Sequence, residues 1–397
     1  MGTEVENEAR IAIPRSRVND YTHEMAAMRR GFILESTGAD LTHVAQYSFD
    51  PAILPGNIEN FIGVAQVPMG VAGPILIHGE FANGEFFVPL ATTEGTLISS
   101  YNRGMRVLTE SGGIRTTVVE DAMQRAPAFM LGNARLARSF GRWIEEHYTE
   151  IKRQAEATTS IGKLIRIEQF AVGPIRYLRF NYTTGDAAGQ NMTGKATQAA
   201  CEWIRDNCPF RTSYYLSGNI DTDKKHSQLN MLLTRGKRVV AEAVIPEQLL
   251  RRYLHIETED ICRIREVQIS GAFLAGSSST GAHAANGLAA LFIATGQDVA
   301  NIAESHASLT YTQALENGDF YWSITLPSLI VATFGGGTGL ATQRQCLEMM
   351  DCYGQGKVNK FAEICAAVVL SGEISLVAAI LHGDWVSAHE RLGRNRK

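Results

Sequence analysis

The sequence predicts a mixed α/β protein, α+β in its central segment, with no Rossmann unit. Leu178, Phe180 and Tyr182 alternate with Arg179 and Asn181, the period-two signature of a half-buried strand. Directly afterwards Met192, Ala196, Ala199 and Trp203 recur at helical spacing, so a strand feeds a helix through a glycine turn. Beyond 216, strand-like runs such as 239–245 alternate with helical ones such as 284–295, and no Gly-x-Gly-x-x-Gly occurs in the chain.

In chain order, residues 1–59 are charged and weakly periodic and form an N-terminal helical region with candidates over 21–38. From Phe61, Gly70-Val-Ala-Gly-Pro74 and Phe86-Phe-Val-Pro-Leu90 read as short strands and turns. Leu97, Tyr101, Met105 and Leu108 then repeat at helical spacing, which sets Glu94 near a helix start. Between 127 and 215 a compact α+β insertion is expected: one helix over 134–156, strands over 164–170 and 177–182, and a second helix. A last helix lies near 360–381, followed by a polar tail with Arg391, Arg394, Arg396 and Lys397.

With 397 residues, 45% hydrophobic and 20% charged, the chain can bury a sizeable core in two or three domains. A net charge of −4 argues against nucleic acid as a partner, because phosphate binding needs a clustered positive surface. The six cysteines, at 201, 208, 262, 346, 352 and 365, show no Cys-x-x-Cys and no metal-ligand spacing, so reduced core thiols and no metal are expected. The start, Met1-Gly-Thr-Glu-Val-Glu6, lacks the basic and apolar runs of a signal peptide and fails the myristoylation pattern, which predicts a cytoplasmic protein. The stretches 267–297 and 320–343 contain no Asp, Glu, Lys or Arg, yet their Gly, Ser, Thr and Asn content makes them buried helices and site loops rather than membrane spans.

Four ionisable residues in weakly charged surroundings suggest a reaction centre: Glu94, Lys224, Asp298 and His389. Each has a plainer reading. Asp223-Lys-Lys225 fits a solvated loop, Asp298 a helix cap, His283 and His306 satisfied core groups, and His389 an exposed side chain or a mobile acid. The turn Thr183–Met192, with Gly185 and Gly189, joins strand to helix and suits a pyrophosphate; Gly335-Gly-Gly-Thr-Gly339 offers a second backbone surface or a simple tight turn.

Taken in order, Glu59-Asn-Phe-Ile-Gly63, Gly70-Val-Ala-Gly-Pro74, Ala91-Thr-Thr-Glu-Gly95, Asn102-Arg-Gly104, Gly185-Asp186, Asn191-Met192, Thr222-Asp-Lys-Lys225, His283-Ala-Ala-Asn286, Gly296-Gln-Asp298 and Gly335-Gly-Gly-Thr338 resemble 3-hydroxy-3-methylglutaryl-coenzyme A reductase in its class I form, from about 59 to 389. The resemblance implies a large domain around a long central helix, with a ferredoxin-like small dinucleotide-binding domain inserted at 127–215 and active sites formed between the subunits of a homodimer or larger oligomer. It implies reduction of a thioester to an alcohol by two nicotinamide cofactors through bound mevaldehyde.

By the same match Lys224 stabilises the developing oxyanion, His389 protonates the departing CoA thiolate, Glu94 supplies a proton from a carboxyl raised by burial, and Asp298 is the buried group coupling Glu94 to Lys224. Arg125, Ser217, Asp223, Lys225 and Asn102 match the acyl pocket; Asp186, Gly189, Asn191, Arg103, Gly335 and Gly336 match the cofactor site. Where relatives that use NADPH carry a basic residue after a Thr-Thr or Thr-Ser pair, this chain has Ser160, so NADPH is expected with NADH as the alternative, and Lys163 or Arg166 as the compensating cation. The alternatives are a reductase of another branched acyl-CoA and a non-catalytic CoA-thioester-binding relative.

Overall fold

The computed structural model describes residues 12–383. The N-terminal helix His23–Thr37 starts where the Thr22 side chain accepts from the Met25 amide (3.2 Å) and stops at Gly38, whose φ of 73° a side chain would disfavour. Arg29 on this helix is fully buried. Its guanidinium donates to the carbonyls of Pro14 (3.0 Å), Asp20 (3.1 Å) and Phe61 (3.2 Å) and pairs with the Asp20 carboxylate. Ala26, Leu54 and Phe61 form a small cluster that reaches Leu340, which seats this region on the rest of the protein.

The main sheet contains β1 (Met69–Gly79), β2 (Asn83–Ala91), β3 (Ile114–Arg125), β8 (Gly236–Ile245), β9 (Leu309–Ala314) and β10 (Phe320–Leu329), in the order β2-β1-β3-β8-β10-β9. Among the described strands only β1 and β3 pair in parallel; the helix Leu97–Glu110 lies in the connection between β2 and β3. Ile77, Ile114, Trp322 and Ile324 are fully buried in the main hydrophobic cluster, through which the helix Val358–His382 also runs. That helix is long and apolar enough to cross a membrane by composition, but 78% of its most apolar window is buried inside the fold. It carries two fully buried carboxylates. Glu363 accepts from the amides of Glu80 (3.1 Å), Phe81 (2.9 Å) and Ala82 (2.6 Å) in the turn between β1 and β2, and Glu373 accepts from Ala282 (2.8 Å) and His283 (2.6 Å). Burial raises both carboxyls and the amide donors pull them back.

A second hydrophobic cluster, centred on Phe129, Phe140, Ile144, Leu178, Phe180, Tyr182 and Ile204, is built from the segment between β3 and β8. A fully buried aromatic such as Phe129 or Phe180 contributes about 2 kcal/mol. Its strands β4 (Ala128–Met130), β5 (Lys163–Val172), β6 (Ile175–Thr183) and β7 (Ser213–Tyr215) are antiparallel in the order β7-β4-β6-β5. The end of β3 also pairs with β6, Met123 opposite Tyr182 and Arg125 opposite Phe180, so Arg125 sits where the two sheets meet. The helix expected over 134–156 is two helices, Ala134–Glu146 and Tyr148–Glu156. At the break His147 stacks on Trp143, centroids 4.1 Å apart, and its Nδ1 lies 2.8 Å from the Trp143 carbonyl.

One sequence expectation fails here. The sequence reads the uncharged stretch 267–297 as buried helices and site loops, but Val267, within the helix Thr258–Leu274, and Phe273 and Leu274, at its end, are 62%, 86% and 89% exposed. Of the six cysteines, Cys201, Cys346, Cys352 and Cys365 are buried and Cys208 and Cys262 half-buried, all as free thiols.

Candidate active site

Lys224 Nζ lies 2.7 Å from Asp298 Oδ2, and each side chain is 42% exposed. At that exposure the pair adds at most about 1 kcal/mol to stability. The other oxygen of Asp298 accepts from the Ala300 amide (3.0 Å) and caps the short turn Val299–Asn301. Asp298 is thus both a helix cap and the partner of the lysine.

The backbone under Lys224 is held in the left-handed region at φ 55°, where a side chain is disfavoured. Its amide donates to Glu304 Oε1 (2.9 Å), which also receives Arg235 Nη1 (3.0 Å). Arg235, fully buried, reaches Asp223 Oδ1 through Nη2 (3.0 Å). Glu304 is buried, its Oε2 has no hydrogen-bond partner, and burial pushes the carboxyl up to about 7 against the opposing pull of Arg235.

Beside this group Arg125 donates to Asp221 Oδ2 (3.0 Å) and stands 3.7 Å from Asp223 Oδ2. Ser217 Oγ donates to Asp221 at 3.3 Å, and Lys225 Nζ to the Asp223 carbonyl at 3.1 Å. The structure therefore gathers Arg125, Ser217, Asp223, Lys224, Lys225 and Asp298 into one polar patch. A guanidinium, two ammonium groups and a hydroxyl can there meet a carboxylate and a carbonyl oxygen.

Glu94 is elsewhere. It is exposed, receives both of its side-chain hydrogen bonds from Asn286 Nδ2 (3.3 and 3.1 Å), and borders a cleft of about 300 Å³ with Met69, Thr92 and Ile98. Asn286 lies in the first turn of the helix Ala284–Thr295, and Asp298 follows the Gly296 cap at its far end. The helix of 12 residues is roughly 18 Å long, and Asn286 and Asp298 are separated by most of that length. Among the described residues no hydrogen bond or ion pair joins Glu94 to Lys224 or Asp298. The expected burial of Glu94 and of Asp298, and their direct coupling, are not features of the single chain. His283, which caps the same helix, is buried against Tyr101, and burial pushes its imidazole down to about 4.

The glycine-rich segments meet through Asp186. Its carbonyl accepts from the amides of Thr333 (3.0 Å) and Phe334 (3.3 Å), just before Gly335 and Gly336. Its carboxylate accepts from Gly356 (2.8 Å), Lys357 (3.1 Å) and Val358 (3.2 Å), at the start of the long helix. Gly335 and Gly336 have φ of 83° and 57°, with open space where a Cβ would stand. Gly189, φ 80°, opens the helix Gln190–Asn207, with Asn191 exposed in its first turn. A backbone cradle at a helix start, open on the glycine side, fits the phosphates of a dinucleotide. Asn102 Oδ1 accepts from the Gly73 amide (3.0 Å), and Arg103 donates to Ser375 Oγ (3.0 Å) and carbonyl (2.7 Å) on the long helix. His389 lies outside the described residues.

Sequence reasoning missed Glu304, Arg235 and Asp221. A lone carboxylate in an apolar run, Ile302-Ala-Glu-Ser305, was the available signal for the first.

Residues 25–394 match the family model described as hydroxymethylglutaryl-coenzyme A reductase. The chain is 45% identical to the 3-hydroxy-3-methylglutaryl-coenzyme A reductase of Pyrococcus horikoshii over 375 residues, 92% of this chain and 91% of the relative. It is 42% identical to that of Methanocaldococcus jannaschii over 374 residues, 92% of each. In fold it is similar to the class II 3-hydroxy-3-methylglutaryl-CoA reductase of Streptococcus pneumoniae bound to NADPH, with a TM-score of 0.67, 19% identity, and coverage of 83% of this chain and 89% of that one. The chain belongs to the hydroxymethylglutaryl-coenzyme A reductase family.

Proposed function

We propose that the chain reduces 3-hydroxy-3-methylglutaryl-CoA to mevalonate and CoA by way of bound mevaldehyde. The observation that carries this is the Lys224 ammonium, fixed 2.7 Å from Asp298 beside Arg125, in a member of this family. The nicotinamide, when bound, supplies one hydride to each of the two reductions, four electrons in all. Lys224 stabilises the negative charge that forms on the carbonyl oxygen. Arg125, with Ser217, Asp223, Lys225 and Asn102, orients the acyl group and its carboxylate. Glu94 gives the proton that the second reduction places on oxygen, and His389 the proton that keeps the CoA thiolate from returning.

Glu94 is held by Asn286 near the start of the helix Ala284–Thr295 and Asp298 follows its other end, so we infer that a second copy brings Glu94 to the Lys224–Asp298 pair and buries both carboxylates. The exposed Phe273 and Leu274 supply apolar surface for that association into a homodimer or higher oligomer. We read 127–215 as an inserted ferredoxin-like unit holding the dinucleotide, since β4 to β7 and their helices follow the order β-α-β-β-α-β; residues 1–59 are the N-terminal region, and 60–126 with 216–397 the substrate domain.

NADPH is the first choice and NADH the alternative. Arg166 is already held by Glu120 (2.8 Å) and Glu168 (2.9 Å), whereas Lys163 is 60% exposed and paired with Glu156 only at the longer distance of 3.9 Å, so Lys163 is the cation left for a 2′-phosphate. The test is loss of the nicotinamide near-ultraviolet absorbance when NADPH or NADH is mixed with the folded chain and 3-hydroxy-3-methylglutaryl-CoA. Oxidation of neither refutes the proposal, and tight CoA-ester binding without turnover favours a non-catalytic relative.

A further inference from the structure

The helix Gln190–Asn207 begins with a side chain that the reductase chemistry above does not use. The Gln190 carboxamide nitrogen donates to Asp223 Oδ1 (3.0 Å) and to Asn301 Oδ1 (2.9 Å), so both hydrogens of one planar group are spent on two different loops. Asp223 immediately precedes Lys224, and Asn301 ends the short turn that Asp298 caps. One side chain therefore ties together the two loops whose charged groups form the 2.7 Å ion pair.

Its other end is equally fixed. Gly189 has φ 80°, and a Cβ there would run into the Thr184 side chain; the Thr184 hydroxyl in turn donates to the Ala187 carbonyl (2.9 Å). The same turn carries Asp186, which joins it to Thr333, Phe334 and the start of the long helix. From Thr184 to Gln190 the backbone has little freedom left, so a displacement at the turn is passed to Gln190 and from there to Asp223 and Asn301.

Without the carboxamide, Asn301 Oδ1 loses a donor in a residue only 1% exposed, and Asp223 Oδ1 retains Arg235 as its side-chain donor, with Arg125 3.7 Å from Oδ2 ready to draw the carboxylate aside. We propose that Gln190 is a positioning residue that makes the dinucleotide turn and the Lys224–Asp298 loops order as one unit, so that occupation of either binding region tightens the other. The inference rests on the reductase reading of this site.

Calorimetric titration of the full chain tests it, with NADP⁺ added in the presence and absence of 3-hydroxy-3-methylglutaryl-CoA. The pair is non-reacting because the oxidised nucleotide carries no hydride, and NAD⁺ replaces NADP⁺ if the wild type turns over NADH. In the wild type the CoA ester tightens nucleotide binding about fivefold or more, the lower end of usual coupling between sites. Gln190→Met keeps the side-chain length and suits a first helical turn; it brings the ratio close to one and lowers kcat about tenfold, while the melting temperature stays within about 3 °C. Gln190→Glu, which sets a carboxylate against Asp223, gives the same loss of coupling and serves if the methionine variant does not fold. A wild-type ratio of one, or a folded variant with the wild-type ratio, overturns the proposal. A wild type that binds both ligands without turnover refutes the reductase reading and still leaves the ratio to decide this one.

Discussion

Glu304 holds the Lys224 amide on one carboxylate oxygen, at 2.9 Å, while its second oxygen is buried with no partner. Burial keeps this carboxyl up at about 7, against 4.5 as its ordinary value. Between those two values the folded chain holds a proton that the unfolded chain has released, so stability falls as pH rises from about 4.5 to about 7 and levels off above. Glu304→Gln cannot titrate. Urea denaturation of both proteins between pH 5 and 8 should show the wild type losing up to about 3 kcal/mol relative to the variant as pH rises. His283, pushed down to about 4, acts oppositely, losing stability as pH falls from 6.5, but it is common to both proteins and cancels. A difference that does not change with pH contradicts the assignment.

Lys224→Met removes the ammonium and leaves the backbone bond to Glu304 in place. Loss of a preorganised oxyanion donor costs about 100- to 1,000-fold in kcat, and an ion pair 42% exposed on both sides is worth little to folding. Steady-state rates should therefore collapse while the melting temperature moves by no more than about 3 °C. A variant that retains wild-type kcat would remove Lys224 from the chemistry.

Much of the frame is legible in the residues themselves. The alternation of Leu178, Phe180 and Tyr182 with Arg179 and Asn181 is periodic because one face of β6 meets an apolar cluster, and the helix expected near 360–381 runs Val358–His382. What local sequence lacks is knowledge of distant partners. Nothing around Glu304 says that it will meet the Lys224 amide, 80 positions away, and nothing in Ala91-Thr-Thr-Glu-Gly95 says that Glu94 will be exposed in one chain. The break at His147 escapes notice for the opposite reason: Trp143 and Trp203 stack around a position whose own propensity is ordinary. Asp186 is matched to a dinucleotide loop by sequence alone, whereas its contacts with Val358 and Thr333, which fasten two distant segments to that loop, are visible only in the fold.

The helix Leu97–Glu110 crosses the long helix where Gly104 meets Ser371, and a Cβ at Gly104 would collide with the Ser371 carbonyl. Backbone cannot retreat as a flexible side chain can. Gly104→Ala should thus cost about 1–3 kcal/mol by overpacking, although alanine is otherwise the better helix former. Chemical denaturation reads this directly, and an unchanged or raised midpoint would mean that the helices sit farther apart.

Complementation tests whether two chains share a site. Glu94 hangs from Asn286 at the start of the helix Ala284–Thr295, and Asp298, with Lys224 on it, follows that helix at the other end. If Glu94 of one chain serves the Lys224–Asp298 pair of another, Glu94→Gln and Lys224→Met each inactivate both sites of a homodimer. A mixed dimer then places both lesions in one site and leaves the other intact. Random co-assembly yields mixed dimers half the time, each with one working site, so activity should return to about a quarter of wild type per chain. Sites complete within one chain predict no recovery on mixing. Purifying the mixed dimer through two tags and finding it as inactive as its parents would refute the shared site while leaving the Lys224–Asp298 chemistry untouched.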